Sequence, residues 1–255
     1  MRKVATCLAV VNQKGGVGKS TTAVNLGACL SELGKRVLLV DIDPQGNASS
    51  GVGVEKSGLQ GCMYDVLIER RAMEEVIRST AITGLDVAPA TLELAGAEIE
   101  LVSAMSREYR LKESLESVQE RYDYILIDAP PSLGLLTINA LSAATAALVP
   151  IQCEYYALEG VSQLMSTVTL VKDHLNPDLE IGGVLMTMYD ARTNLSQQVV
   201  EEVRRYFGEK VFKTIIPRNV RLSEAPSHGQ PITLYDQQCR GAQAYRELAR
   251  ELIGA

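Results

Sequence analysis

Residues 4–21 read VATCLAVVNQKGGVGKST, and this stretch decides how the rest of the chain is read. Val4 to Val11 is a short, nearly all-apolar run, the pattern of a strand buried on both faces of a parallel sheet. From Ser20 to Leu33 the small and apolar residues Ala23, Leu26, Gly27 and Leu30 recur at helical spacing. Between the two lie Gly15, Gly16 and Gly18, with Lys14 and Lys19 among them. Glycine lets a backbone pass close to a ligand, and paired lysines ask for an anion. A strand, a glycine-rich turn and a helix aim free N–H groups and the helix dipole at one point, as a phosphate requires. Gly18-Lys19-Ser20 completes G-x-x-x-x-G-K-[ST], although Gln13 stands at the first glycine position. In that motif Lys19 reaches the β and γ phosphates of a nucleotide and the Ser20 hydroxyl ligates Mg²⁺. A dinucleotide fingerprint would need glycine where Thr21 stands.

Further strand-like runs occur at 36–43, 85–90, 122–130, 146–152, 182–189 and 211–217. Segments of helical spacing separate most of them, at 111–121, 135–144, 158–174, 198–207 and 242–253. Alternation of this kind predicts an α/β fold: a doubly wound, mostly parallel sheet with helices on both faces and its ligand at the carboxyl ends of the strands. Residues 47–61, rich in glycine and without periodicity, read as a mobile surface segment. A phosphate loop needs a second acidic group for its magnesium shell, and Asp128, closing the run Tyr124–Ile127, fits. Asp41 and Asp43 end another run in VDIDPQGN; a spacing of two puts both carboxylates on one face of an extended chain. Pro44 holds Asp43 extended.

Composition narrows the class. The chain has 255 residues, 46% hydrophobic and 22% charged, with no run approaching a membrane span. The first strand begins at residue 4, which leaves no room for a signal peptide. Five scattered cysteines without a C-x-x-C pair read as reduced thiols, neither a disulfide frame nor a zinc site. The net charge is −6, but from Leu185 onward ten Lys/Arg face eight Asp/Glu, so the C-terminal quarter is slightly basic on an acidic protein.

KGGVGKST (residues 14–21) resembles the deviant Walker A loop of the ParA/MinD group of P-loop ATPases. The resemblance implies nucleotide contacts from Lys14, Gly15, Gly16, Val17, Gly18, Lys19, Ser20 and Thr21, with Lys14 crossing to the ATP of a second subunit in a sandwich dimer. Lys14 would then supply the cation of an arginine finger, and hydrolysis would depend on dimerisation. Asp43 resembles the group's catalytic acid that positions or activates the attacking water. Asp41 lies nearer the magnesium water shell, and residues 129–132 after Asp128 resemble switch II. Pro217, Arg218 and Asn219 match the adenine loop.

The likeness runs the full length. QCEYYALEG (152–160), MYDARTNLSQQV (188–199) and IPRNVRLSEAPSHG (216–229) resemble the chromosomal ParA (Soj) branch. This implies an Mg²⁺-dependent ATPase of chromosome or plasmid partitioning, cytoplasmic and nucleoid-associated. Its ATP-bound homodimer would hold double-stranded DNA non-specifically through Arg192, Arg218 and Arg221, and a ParB-type partner would trigger hydrolysis and release. A replication initiator belongs to the implied partner set and a membrane does not. The expected organisation is one P-loop domain over residues 1–255 without an N-terminal helix-turn-helix domain. Two rivals share the loop. A MinD-like ATPase acts at membranes through a basic amphipathic C-terminal helix, which AYRELARELIGA (244–255), with its alternating charges, is poorly suited to form. A metabolic ligase or kinase needs a further catalytic constellation, and neither His174 nor His228 stands beside a candidate nucleophile. Tyr155 and Tyr156 fit an interface and a core equally well.

Overall fold

Alternate residues of the apolar runs pack on opposite sides of a single sheet. In the computed structural model, which describes residues 4–155, 158 and 160–254, the strands are β1 (Thr6–Val10), β2 (Val37–Asp41), β3 (Arg78–Ser79), β4 (Leu85–Ala88), β5 (Tyr124–Asp128), β6 (Ala146–Gln152), β7 (Glu180–Tyr189) and β8 (Val211–Pro217). Their order is β3-β4-β2-β5-β1-β6-β7-β8, parallel except for the short edge strand β3, which runs antiparallel to β4. Cys7, Ala9, Leu38, Val40, Ile125 and Ile127 enter one core with helices 135–143, 161–174 and 194–207. Leu8, Val10, Val37, Leu39 and Leu126 enter the other with helices 19–32 and 240–253. A continuous apolar run is therefore what a strand covered on both faces requires.

The chain leaves β1 toward β2 on one side and later leaves β6 toward β7 on the other, so the connections diverge between β1 and β6. That crevice, at the carboxyl ends of the strands, is where doubly wound sheets bind ligands. Register brings the chemistry there. Val10 pairs with Asp128 across β1/β5, and Asp41 pairs with Asp128 across β2/β5.

The C-terminal helix Arg240–Ile253 buries Ala242, Ala244, Tyr245, Leu248 and Ala249 against the helix Lys19–Glu32 and β8. The Tyr245 hydroxyl lies 3.2 Å from Thr22 Oγ1, and Arg246 forks onto Glu32 at 2.7 and 3.0 Å. Its apolar face is used up inside the protein. Among the described residues no helix is long and apolar enough to cross a membrane.

Two expectations need correction. Residues 47–51 of the glycine-rich segment form a short helix in which Ala48, Ser49 and Gly51 are buried. The Ser49 amide and hydroxyl both donate to Asp41 at 2.7 Å, and this anchor replaces the missing periodicity. Tyr155 is 77% exposed, so the core reading fails for it; Tyr156 lies outside the described residues. Burial pushes the Cys7, Cys29 and Cys153 thiols up to about 12, which leaves them protonated.

Tyr245→Phe should cost about 1 kcal/mol in urea unfolding with an unchanged m value, because it orphans the buried Thr22 hydroxyl while keeping the packed ring.

Candidate active site

The loop after β1 is held open by its neighbours. The Asn12 side chain donates to the Pro150 carbonyl at 2.7 Å and accepts from the Lys14 amide at 3.0 Å, tying the loop to β6. Thr187 of β7 donates to the Val17 carbonyl at 2.9 Å. Gly16 and Gly18 adopt φ of 74° and 91°, conformations that favour glycine, and Gly18 delivers the chain into the helix that starts at Lys19. A cleft of about 500 Å³ opens over that helix start. Gly15, Gly16, Gly18, Lys19, Ser20 and Thr21 line it with Asp43, Asn25 and Pro131. Val17 is buried and does not line the cleft. Lys14 stands outside the lining, half-exposed, with its Nζ 3.8 Å from Glu154.

Three carboxylates and one ammonium are buried together at the cleft wall. Lys19 is 6% exposed, and its Nζ donates to the Lys14 carbonyl at 3.2 Å. Burial lowers its pKa, opposed by Asp128 and Asp43. Asp41 accepts from the Asp43 amide at 3.1 Å as well as from Ser49, so its oxygens brace the turn that carries Asp43. Burial pushes Asp41 up to about 6 against those hydrogen bonds. Asp43 accepts from the Gln45 amide at 2.9 Å and reaches the cleft. Asp128 is wholly buried and neither oxygen accepts a hydrogen bond of ordinary geometry. Burial first, then the Asp41 charge, raise its pKa well above the carboxylate range; the nearby Ser20 hydroxyl and Lys19 pull it back only in part.

An unpartnered buried carboxylate beside a serine hydroxyl is a donor set that fits a hard divalent cation. Among the described residues no group of three or more His, Cys, Asp or Glu side chains could hold a metal by itself. The set suits Mg²⁺, which binds through one or two carboxylates together with substrate phosphates and water.

A second cleft of about 310 Å³ shares Gly18, Thr21, Met188 and Pro226 with the first and is lined by Pro217, Arg218, Asn219 and Tyr245. The Arg218 amide donates to the Tyr189 carbonyl at 2.9 Å, fixing this loop at the end of β8. Met188, at φ 52°, is a strained non-glycine residue between the clefts. Arg192 and Arg221 line neither cleft. Asp190 grips Arg192 at 2.9 and 2.7 Å and is held well below the usual carboxylate range by it. Glu224 holds Arg221 at 2.9 Å, with Asp236 at 3.6 Å. Asn12, Asn25, Ser49, Thr187, Met188 and Tyr245 carry no sequence signal of their own strong enough to mark them. Asn12 borders the loop motif and is within reach of a sequence reading; the others are brought in by tertiary packing.

A family model described as an AAA domain matches residues 5–181. The sporulation initiation inhibitor protein Soj of Bacillus subtilis is 64% identical over 96% of this chain and 97% of its own length. The chromosome partitioning protein ParA of Myxococcus xanthus is 54% identical over 98% of this chain and 88% of its own. Among solved structures, cobyrinic acid a,c-diamide synthase from Mycobacterium smegmatis, bound to an ATP analogue and magnesium, superposes with a TM-score of 0.87 at 40% identity, covering 98% of this chain and 95% of that one.

Asp128→Asn should stabilise the nucleotide-free protein at alkaline pH, since it puts a neutral amide where burial disfavours the charged carboxylate. Wild-type Asp128 has a raised folded-state pKa, so its penalty is present at high pH and fades as falling pH protonates it. The two proteins should therefore converge in urea titrations carried toward acid pH.

Proposed function

The chain belongs to the chromosomal ParA (Soj) branch of the P-loop ATPases, and from that premise we propose an Mg²⁺-dependent ATPase whose nucleotide state governs its hold on DNA during chromosome or plasmid partitioning. The gathering of Lys19, Ser20 and Asp43 in the cleft lining, with the buried Asp128 close to all three, carries this reading. Residues 15–21 cradle the triphosphate, Lys19 neutralises the β and γ phosphates, and Pro217, Arg218 and Asn219 border the base in the adjoining cleft. Ser20 and Asp128 would hold Mg²⁺, with Asp41 behind them; the ion would screen charge that gathers on the phosphate oxygens. Asp43 orients the attacking water at the γ-phosphate. Asp41 acts chiefly by holding Asp43 in place, because its oxygens are already engaged.

A single chain has no use for Lys14 at its own nucleotide. The side chain lies outside its own cleft and pairs with the exposed Glu154, a pairing worth little in water. It serves a second copy's nucleotide, so turnover requires an ATP-bound homodimer. That dimer doubles the arginines available to DNA. Arg192 and Arg221, 86% and 54% exposed, exchange their carboxylates for backbone phosphates at small cost, and Arg218 joins them beside the nucleotide. Binding is sequence-independent, and a ParB-type protein ends it by stimulating hydrolysis. A replication initiator is a further partner. Residues 1–255 act as one ATPase domain, in the cytoplasm and on the nucleoid.

Asp43→Ala should accumulate the dimer and bind two unrelated DNA fragments equally with Mg²⁺-ATP but not Mg²⁺-ADP, weakening steeply with salt. Absence of DNA binding in every nucleotide state would overturn the DNA reading. Lys14→Ala should keep ATP affinity yet lose ATP-dependent dimerisation and turnover, whereas Lys19→Ala should lose ATP affinity itself; equilibrium nucleotide binding and light scattering separate the two.

A further inference from the structure

An apolar and acidic surface lies beside the catalytic turn. Leu92, Ile99, Val102 and Met105 are 71%, 78%, 59% and 87% exposed, a concentration of large apolar side chains within residues 92–105. Residues 91–106 carry Glu93, Glu98 and Glu100 and no lysine or arginine. At its start this ridge opens into a groove of about 670 Å³ whose walls include Leu59, Cys62, Asp65, Leu92 and Glu93. The nearby cations are already engaged: Arg71 with Glu75 and the Gln60 carbonyl, Arg107 with Glu108 and the Val102 carbonyl.

Both ends of this surface touch the catalytic turns. Lys56, in the groove wall, donates to the Gln45 carbonyl at 2.5 Å and passes over Gly46, in the turn that carries Asp43. The Ala90 amide donates to Ser49 Oγ at 3.0 Å, and that hydroxyl donates to Asp41. On the far side the Glu98 carboxylate packs over Gly134, in the loop that follows Asp128, and its Oε1 is buried without a hydrogen-bond partner. A basic ligand seated here would draw Glu98 away from the loop after Asp128 and repel Lys56 from the turn that carries Asp43.

We propose that this groove and ridge are the docking surface for a basic, amphipathic segment of the partner protein that stimulates ATP hydrolysis. The proposal rests on the stimulatory partner proposed above. The segment's apolar side chains cover Leu92, Ile99, Val102 and Met105, and its lysines or arginines meet Glu93, Glu98 and Glu100. Charge selects this occupant over a second copy of the chain: a two-fold self-contact through the same ridge would set glutamate against glutamate. It also supplies what the ridge lacks, since residues 91–106 have three carboxylates and no cation of their own, and Lys56 of the groove wall is engaged by the Gln45 carbonyl.

The test uses two double variants of exposed side chains, Ile99→Asp/Met105→Asp and Glu93→Lys/Glu100→Lys. ATP turnover of the full chain is measured with saturating DNA, with and without a ParB-type protein from the same organism, alongside binding of that protein labelled with a fluorophore. Basal turnover and ATP-dependent DNA binding should stay within twofold of wild type, while stimulation and partner affinity fall at least tenfold in both variants. Stimulation retained in both variants overturns the surface, and so does loss of ATP-dependent self-association, which would make the ridge an interface between copies. If the wild-type chain is not stimulated at all, the partner reading itself fails and takes this occupant with it.

Discussion

Everything at this site depends on holding Asp41, Asp43, Asp128 and Lys19 together, nearly out of water, before any ligand arrives. The sheet does the holding: register sets Asp41 and Asp128 side by side, and the phosphate loop leaves the strand that pairs with Asp128. Three carboxylates facing one buried ammonium cannot balance among themselves. The surplus negative charge is tolerated because two apolar layers and the loop's tethers to Pro150 and Thr187 fix the backbone around it. Such a site is preorganised for a cation and a polyphosphate, and costly without them.

The three carboxylates differ in availability. Asp41 is saturated by Ser49 and the Asp43 amide, Asp43 gives one oxygen to the Gln45 amide and turns toward the cleft, and Asp128 has no hydrogen bond of ordinary geometry. Structural strut, water-facing acceptor and cation-seeking base are thus separated by what each oxygen already touches. Burial acts on Asp41 and Asp128 alike; hydrogen bonding divides them.

Much of this was legible in the sequence because the central strands are apolar throughout and the motif sits at their carboxyl ends. The runs at 146–152 and 211–217 coincide with β6 and β8. The phosphate loop and its acidic partners could be found because each closes such a run. What escaped has non-local causes. The two-residue strand β3 is too short to carry a pattern and exists by pairing with β4. Helix 47–51 has no apolar periodicity and is anchored by Asp41. Tyr245 reaches Thr22 only because the last helix packs on the first. Arg192 with Asp190 and Arg221 with Glu224 are different: their short spacings lie open in the sequence, yet a count of positive residues over a whole segment hides such neighbours.

The strand order also bears on how the chain is made. β1 lies between β5 and β6, and Asn12 closes the loop only against Pro150. When β1 leaves the ribosome, neither of its neighbours has been synthesised. At about 5–20 residues per second, on the order of ten seconds pass before residue 152 follows. Through that interval a β-prone apolar segment waits with both edges bare, and the nascent chain has no formed phosphate loop with which to bind nucleotide. Because β1 precedes both of its partners in the chain, it is among the last elements to be completed in the fold, and the interval before they follow is a stage at which this protein needs shielding from aggregation.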